Sequence, residues 1–368
     1  MRIAIDGRLW GFPNPRERFF GAAIIPALIH FAPLHQFFII FDQTPAVEWK
    51  AVEGATILIL KPQANNAASR ALWYDLRLPA LLAGHKIDVF LGAAGYISLR
   101  SPVKQIILLS DVLSGENAPT ATGWPGGWYR RRLPDMLKKA AHVIMPTQTQ
   151  ADRYLKHSQS AKYHIVPACP LVPIPHAASE PEKEKVKQEL TGDTEFFICR
   201  EGWQTLEDAM ELLMAFSAFK KRQLSGMKLV LMGTPPPEKD WKEKLHTYRY
   251  KSDVVVVPEE TDPSIQQQYL SAAWALIHLP TATRTRYLQK ALCMGVPVIT
   301  WPHPILVELA GDVAMYCSDT PGETLAQNLM RMYKDEKMRG DLIKKGLEKS
   351  VVWNEEKILE EILETCVC

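Results

Sequence analysis

The sequence is poor in the features that would place it in a membrane, a secretory route or a disulfide scaffold. No uninterrupted apolar run approaches the roughly 18 residues that a spanning helix needs. The opening MRIAIDGRLW reaches Asp6 before any apolar core of leader length, so no signal peptide is expected. Only six cysteines occur among 368 residues, and none forms a C-x-x-C pair. Cys366 and Cys368 make a terminal C-x-C, too slight for a metal site, and a reduced tail is the expectation. Free thiols fit a reducing, cytoplasmic compartment. Charge of one sign is lacking too. Lysine and arginine number 43 against 41 acids, for a net charge of +2, so no nucleic-acid partner is expected.

Short apolar runs of strand length recur: Ile3–Ile5, Phe37–Phe41, Thr56–Leu60, Val89–Leu91, Ile106–Leu109, Val143–Met145 and Tyr163–Val166. Helix-like stretches separate them, at Ala22–Phe31, Ser69–Ala83, Tyr129–Ala140 and Gln148–Lys156. This alternation predicts βαβ units in a doubly wound parallel sheet. Four prolines between Pro167 and Pro175 then break the pattern, because each fixes φ and removes a donor. A charged helix over Glu180–Leu190 leads into a second series. Its strands are Phe196–Cys199, Lys228–Met232, Val254–Val257, Ala275–His278, Pro297–Thr300 and Ala314–Cys317. Helices are expected at Leu206–Lys221, Ser264–Ala272, Tyr287–Met294, Glu323–Tyr333 and Lys337–Lys349. The expectation is an α/β chain of two Rossmann-like domains, 1–175 and 176–350. A C-terminal helix in 351–368 would cross back to the first domain. Ligand is expected in a cleft at the carboxyl ends of the strands.

Several segments carry a family likeness. They include MRIAIDGRL, Trp73-Tyr-Asp-Leu-Arg-Leu-Pro79, Gly95-Tyr-Ile-Ser-Leu-Arg100, Met227-Lys-Leu-Val-Leu-Met-Gly233, Gly295-Val-Pro-Val-Ile-Thr300 and Glu308-Leu-Ala-Gly-Asp312. In this order the chain resembles the retaining GT-B glycosyltransferases of family 4 over nearly its whole length. The resemblance implies a nucleotide-sugar donor bound mainly by the C-terminal domain and an acceptor bound mainly by the N-terminal domain. It also implies transfer with retention, no essential metal, and a place in polysaccharide or glycoconjugate assembly.

Against that pattern, the chemistry-bearing positions depart. The family's paired glutamates correspond to Ala282 and Lys290, and lysine cannot accept a hydrogen bond. The diphosphate lysine corresponds to Glu207, with Glu201 near the family's glycine; a carboxylate there repels phosphate, and reversing such a contact would cost about 2–5 kcal/mol if it is buried. In the first domain Phe19 and Phe20 precede a single Gly21, and a family histidine corresponds to Ser110, beside Asp111. Thr147-Gln-Thr-Gln150 and Ala168-Cys169 replace two further motifs. Asp111 and Ser110 are the candidate catalytic residues. Arg200, Gly202, Arg284, Arg286 and Glu308 are the donor or anion-binding candidates, with Glu308 read as a helix-start residue able to cap backbone donors.

Two functions follow. One is a glycosyltransferase-like protein with weakened or lost catalysis. The other is an active retaining transferase whose donor contacts have moved to the arginines. Partners implied are a nucleotide sugar, a glycan or lipid-linked acceptor, and a partner glycosyltransferase. Trp124, Trp128 and Tyr129 beside Arg130-Arg-Arg132 and Lys138-Lys139 allow peripheral contact with an anionic membrane face, or ordinary helix packing with snorkelling cations.

Overall fold

The computed structural model describes residues 1–8, 24–45, 52–93, 95–109, 126–155, 162–166, 174–237, 239–258, 262–279, 285–318 and 322–367. The chain divides into two compact units. One comprises Met1–Pro173 with Trp353–Cys368, the other Ile174–Val352.

The first unit holds strands β1 (Arg2–Asp6), β2 (Gln36–Phe41), β3 (Ala55–Ile59), β4 (Val89–Gly92), β5 (Lys104–Leu108), β6 (His142–Met145) and β7 (Lys162–Ile165). They form one sheet in the order β3-β2-β1-β4-β5-β6-β7, and every neighbouring pair is parallel. Helices cover both faces of such a sheet, so its central strands are continuous apolar runs; Ile3, Ala4 and Ile5 are wholly buried. Order reverses between β1 and β4, which brings Asp6, at the end of β1, to a topological switch point.

One predicted helix is interrupted. Asn66 caps the helix Ala67–Leu72 by accepting from the Ser69 amide at 2.9 Å. A five-residue π-helical segment, Trp73–Arg77, then precedes the helix Leu78–Gly84. Pro79 has no N–H for the Asp75 carbonyl, and the backbone widens locally around that gap. The last helix, Glu355–Val367, belongs to this unit by its contacts. Ile358, Leu359, Ile362 and Cys366 are buried, and Lys104 Nζ donates to the carbonyls of Thr365 (3.4 Å) and Cys366 (3.0 Å).

The second unit repeats the plan with strands β8 (Phe196–Cys199), β9 (Lys228–Met232), β10 (Val254–Val257), β11 (Ala275–His278), β12 (Val298–Thr300) and β13 (Ala314–Tyr316). Their order is β10-β9-β8-β11-β12-β13, again all parallel, with the reversal between β8 and β11. Phe197, Trp203, Phe216, Phe219 and Leu329 fill the core on one face. Two helices the sequence pattern did not predict occur here, Lys239–Thr247 and Pro304–Ala310. Among its described side chains the first buries only Trp241, in a charged stretch behind three prolines. The second is only seven residues long.

Candidate functional site

In the second unit the switch point gathers residues from three segments. Arg200 immediately follows β8, Gly233 follows β9, and the helix Arg286–Cys293 connects β11 to β12. Gly233 has φ +123°, and a Cβ there would lie 3.3 Å from the Arg200 carbonyl oxygen. Glycine therefore lets the two strand ends approach. Gly202, at φ +93°, turns the chain toward the helix Leu206–Gln223, whose N-cap is Thr205. Trp203 Nε1 donates to the Met232 carbonyl at 3.0 Å and pins this turn against β9.

Tyr287 is the centre of the arrangement. The Arg200 guanidinium carbon lies 4.3 Å from its ring centroid and that of Arg286 lies 4.9 Å away. Arg286 Nη2 also donates to the Tyr287 hydroxyl at 3.0 Å. Arg200 is 7% exposed; Nη1 meets the Met232 sulfur at 2.9 Å, a weak acceptor, and buried Nε has no hydrogen-bond partner. One turn along the helix from Arg286, the Lys290 ammonium is largely withdrawn from water. Burial, then the charges of Arg286 and Arg200, push its pKa down to about 8, with only Cys293 acting in the opposite sense. Among the described residues neither Arg200 nor Lys290 is in an ion pair. Cations this close repel one another in a medium of reduced dielectric, and a multivalent anion between them would relieve that repulsion.

The other sequence candidates fall as follows. Ser110, Asp111, Ala282 and Arg284 lie outside the described residues. Gly202 is buried at the β8 turn. Glu207 occupies the first turn of the helix Leu206–Gln223 and is exposed, so its charge is solvated and favoured by the helix dipole. The burial on which the expected cost of its repulsion of phosphate depended is therefore absent. Glu308 needs a correction as well. It lies in the second half of the helix Pro304–Ala310, is exposed, and cannot be the cap; His303 is, with Nδ1 accepting from the Ile305 amide at 3.3 Å. Thr147 Oγ1 accepts from the Gln150 amide at 3.2 Å, which makes that motif the start of the helix Gln148–Leu155.

A second polar cluster, missed by sequence reasoning, occupies the switch point of the first unit. Asp6 accepts from the Arg8 amide (3.0 Å) and Nε (3.3 Å), and from the Tyr74 hydroxyl (2.5 Å). The Arg8 guanidinium lies over Trp73 and Tyr74, and Tyr74 stacks on Tyr96. All are buried. The signal was there in Asp6 and Arg8 flanking the end of an apolar strand. Its aromatic half begins with Trp73 and Tyr74, the latter 68 residues beyond Asp6, and could not be paired by pattern. Tyr129 packs on Tyr96, and Arg132 pairs with Asp75, which accounts for those two residues of the basic helix Gly126–Lys139 by ordinary packing. Trp124 lies outside the described residues.

Among the described residues no group of three metal-ligating side chains converges, and no helix is long and apolar enough to cross a membrane. No known family profile and no characterised protein sequence matches the chain. Solved structures do. Anabaena HepE in complex with UDP and glucose is similar at a TM-score of 0.65 with 15% identity, covering 99% of both chains. WaaG, a glycosyltransferase involved in lipopolysaccharide biosynthesis, gives 0.68 and 13%, again over 99% of each chain. A glycosyltransferase from Rickettsia africae gives 0.68 and 12%, over 99% of this chain and 97% of that one. Likeness at this identity establishes the fold, which is that of the GT-B glycosyltransferases.

Proposed function

We propose that the chain is a divergent nucleotide-sugar-dependent glycosyltransferase whose donor diphosphate is held by Arg200, Arg286 and Lys290. The observation that carries this reading is the cationic cluster around Tyr287, lodged at the β8/β11 switch point. A diphosphate leaving group needs its developing charge stabilised. Two arginines with fixed planes and an ammonium can do this where the family's own lysine position has become Glu207. Lys290, read from sequence as a lost carboxylate, becomes in this account a gained anion contact. That HepE is found with UDP-glucose supports the choice of donor class.

The first unit would then take the acceptor, a glycan or lipid-linked molecule in surface-polysaccharide or glycoconjugate assembly, with peripheral membrane contact and a partner transferase as further expectations. Ala282 and Lys290 in place of the paired glutamates favour a second reading, in which the donor is bound and not turned over. Titration calorimetry with uridine, guanosine and adenosine diphosphate sugars tests the binding claim. At least one should bind, and R200A should weaken it about 10–100-fold, the loss of a charge-assisted contact. Failure of the whole panel, or binding indifferent to R200A, overturns it. Donor turnover with candidate acceptors then separates transferase from noncatalytic binder.

A further inference from the structure

A cavity of about 430 Å³ lies in the second unit, at the amino ends of its central strands. Its floor is built from residues that precede the central strands: Glu195 before β8, Trp274 before β11 and Pro297 before β12. A four-residue strand is about 13 Å long, so the sheet itself separates this cavity from the cationic cluster around Tyr287. Nothing in the reading of that cluster uses it.

The walls are chemically divided. Helix Glu336–Ser350 contributes Arg339, Ile343 and Leu347, one stripe at four-residue spacing, and Met294 and Val296 complete an apolar surface. Helix Glu180–Thr191 contributes Glu180, Lys183 and Lys187 at the rim. The rim charges are matched: Lys183 pairs with Glu180 at 2.7 Å and Lys187 with Glu195 at 2.6 Å. Arg339 is the exception. Its guanidinium carbon sits 3.6 Å from the Trp274 ring centroid. That indole is itself fixed by a hydrogen bond from Nε1 to the Met332 carbonyl at 3.0 Å. Arg339 Nε is buried without a hydrogen-bond partner, and among the described residues the side chain is in no ion pair. Burial lowers its proton affinity, opposed by the more distant carboxylates of Glu195 and Glu336.

We infer that this cavity is a binding site for a small organic carboxylate with an apolar body, its carboxylate on Arg339 and its body against Met294, Ile343 and Leu347. A planar guanidinium held against an aromatic face loses little freedom on meeting a carboxylate. The volume falls within the range of small-molecule sites, and a few placed polar groups in an apolar lining are their usual composition. With the lysines matched, Arg339 is the cation of the lining that, among the described residues, is in no ion pair, and one such charge selects a monoanion over a polyphosphate.

Benzoate is the probe, with benzyl alcohol as its neutral counterpart and inorganic phosphate as an anion without a body. Calorimetric titration of the full chain should show millimolar or tighter binding of benzoate, at least tenfold tighter than of either control. R339Q should lose it. L347W supplies a variant that leaves the arginine untouched; the position is 39% exposed, so the bulkier side chain fills the cavity without disturbing the core, and it too should lose benzoate. Titration with a nucleotide sugar in parallel keeps the two sites apart, since R339Q should leave that response unchanged. Absence of benzoate binding, equal binding of benzyl alcohol, preference for phosphate, or benzoate binding that survives both substitutions would each overturn the assignment.

Discussion

Lys290 loses its proton at about 8 in the folded chain, against 10.5 for an unperturbed lysine. Each unit of difference is about 1.4 kcal/mol, so at neutral pH the ligand-free protein carries on the order of 3 kcal/mol of unfavourable free energy in this one ammonium. Lys290→Met removes the charge and keeps most of the stem. Some of the gain is lost to imperfect packing, and a net stabilisation of about 1–3 kcal/mol is expected at pH 7. For a unit of this size that is a rise of several degrees in Tm, at about 2–4 °C per kcal/mol. The pH dependence follows from the same displacement. Between about 8 and 10.5 the unfolded chain holds the lysine proton and the folded chain does not, so stability of the wild type rises with pH across that window. Lys290→Met lacks this rise. Pyrophosphate reverses the comparison: it should raise the Tm of the wild type and raise that of the variant much less, because the anion now neutralises what the substitution has already removed. Scanning calorimetry in a weakly coordinating buffer, with and without pyrophosphate, reads all three effects. A variant that melts lower than the wild type at pH 7, keeps the alkaline rise, and responds fully to pyrophosphate would refute the reasoning.

Other outcomes are expected elsewhere. D6N should destabilise the first unit by about 3–5 kcal/mol, the scale for removing one partner of a buried ion pair, because the amide cannot replace the carboxylate that accepts from the Arg8 amide and Nε and from Tyr74; chemical denaturation followed by tryptophan fluorescence measures it. His142 Nδ1 lies 2.9 Å from His164 Nε2, and burial, then His164, Lys104 and Lys162, hold its pKa below the usual 6.5. The unfolded chain therefore takes up that proton first as pH falls below about 6.5, and stability declines there; H142Q should flatten the decline in a Tm series across pH 5 to 7. R286A should weaken nucleotide-sugar binding about as much as R200A, since both guanidinium groups share the Tyr287 ring, whereas E207A, which removes an exposed charge, should change it little.

How much of this was legible in the sequence depends on how local the cause is. The strands were readable because a sheet covered on both faces forces unbroken apolar runs, as in Phe37–Phe41 and Val254–Val257, and prolines marked the break before the second series. The helix Lys239–Thr247 was not readable, since Trp241 and the partly buried Leu245 are all that its charged sequence offers as an apolar face. The π-helical segment lies just before Pro79, which lacks the N–H that an α-helix would direct to the Asp75 carbonyl. Arg200 and Arg286 were picked out as cations near strand ends, and the fold brings both to Tyr287. Position by position Lys290 stands for a missing acceptor; its nearness to Arg200 and Arg286 appears only when β8 and the helix after β11 become neighbours across 86 residues of chain. The exposure of Glu207 could not be read from its place in the sequence.

The claim at the centre of this account is that the cations around Tyr287 hold a diphosphate. A crystal structure of the chain with uridine diphosphate tests it most directly. Phosphate oxygens should lie within hydrogen-bonding reach, about 3 Å, of Arg200 and Lys290 at the carboxyl ends of β8 and β11. Nucleotide bound elsewhere on the second unit, with Arg200 Nε still unpaired beside Met232, would contradict it.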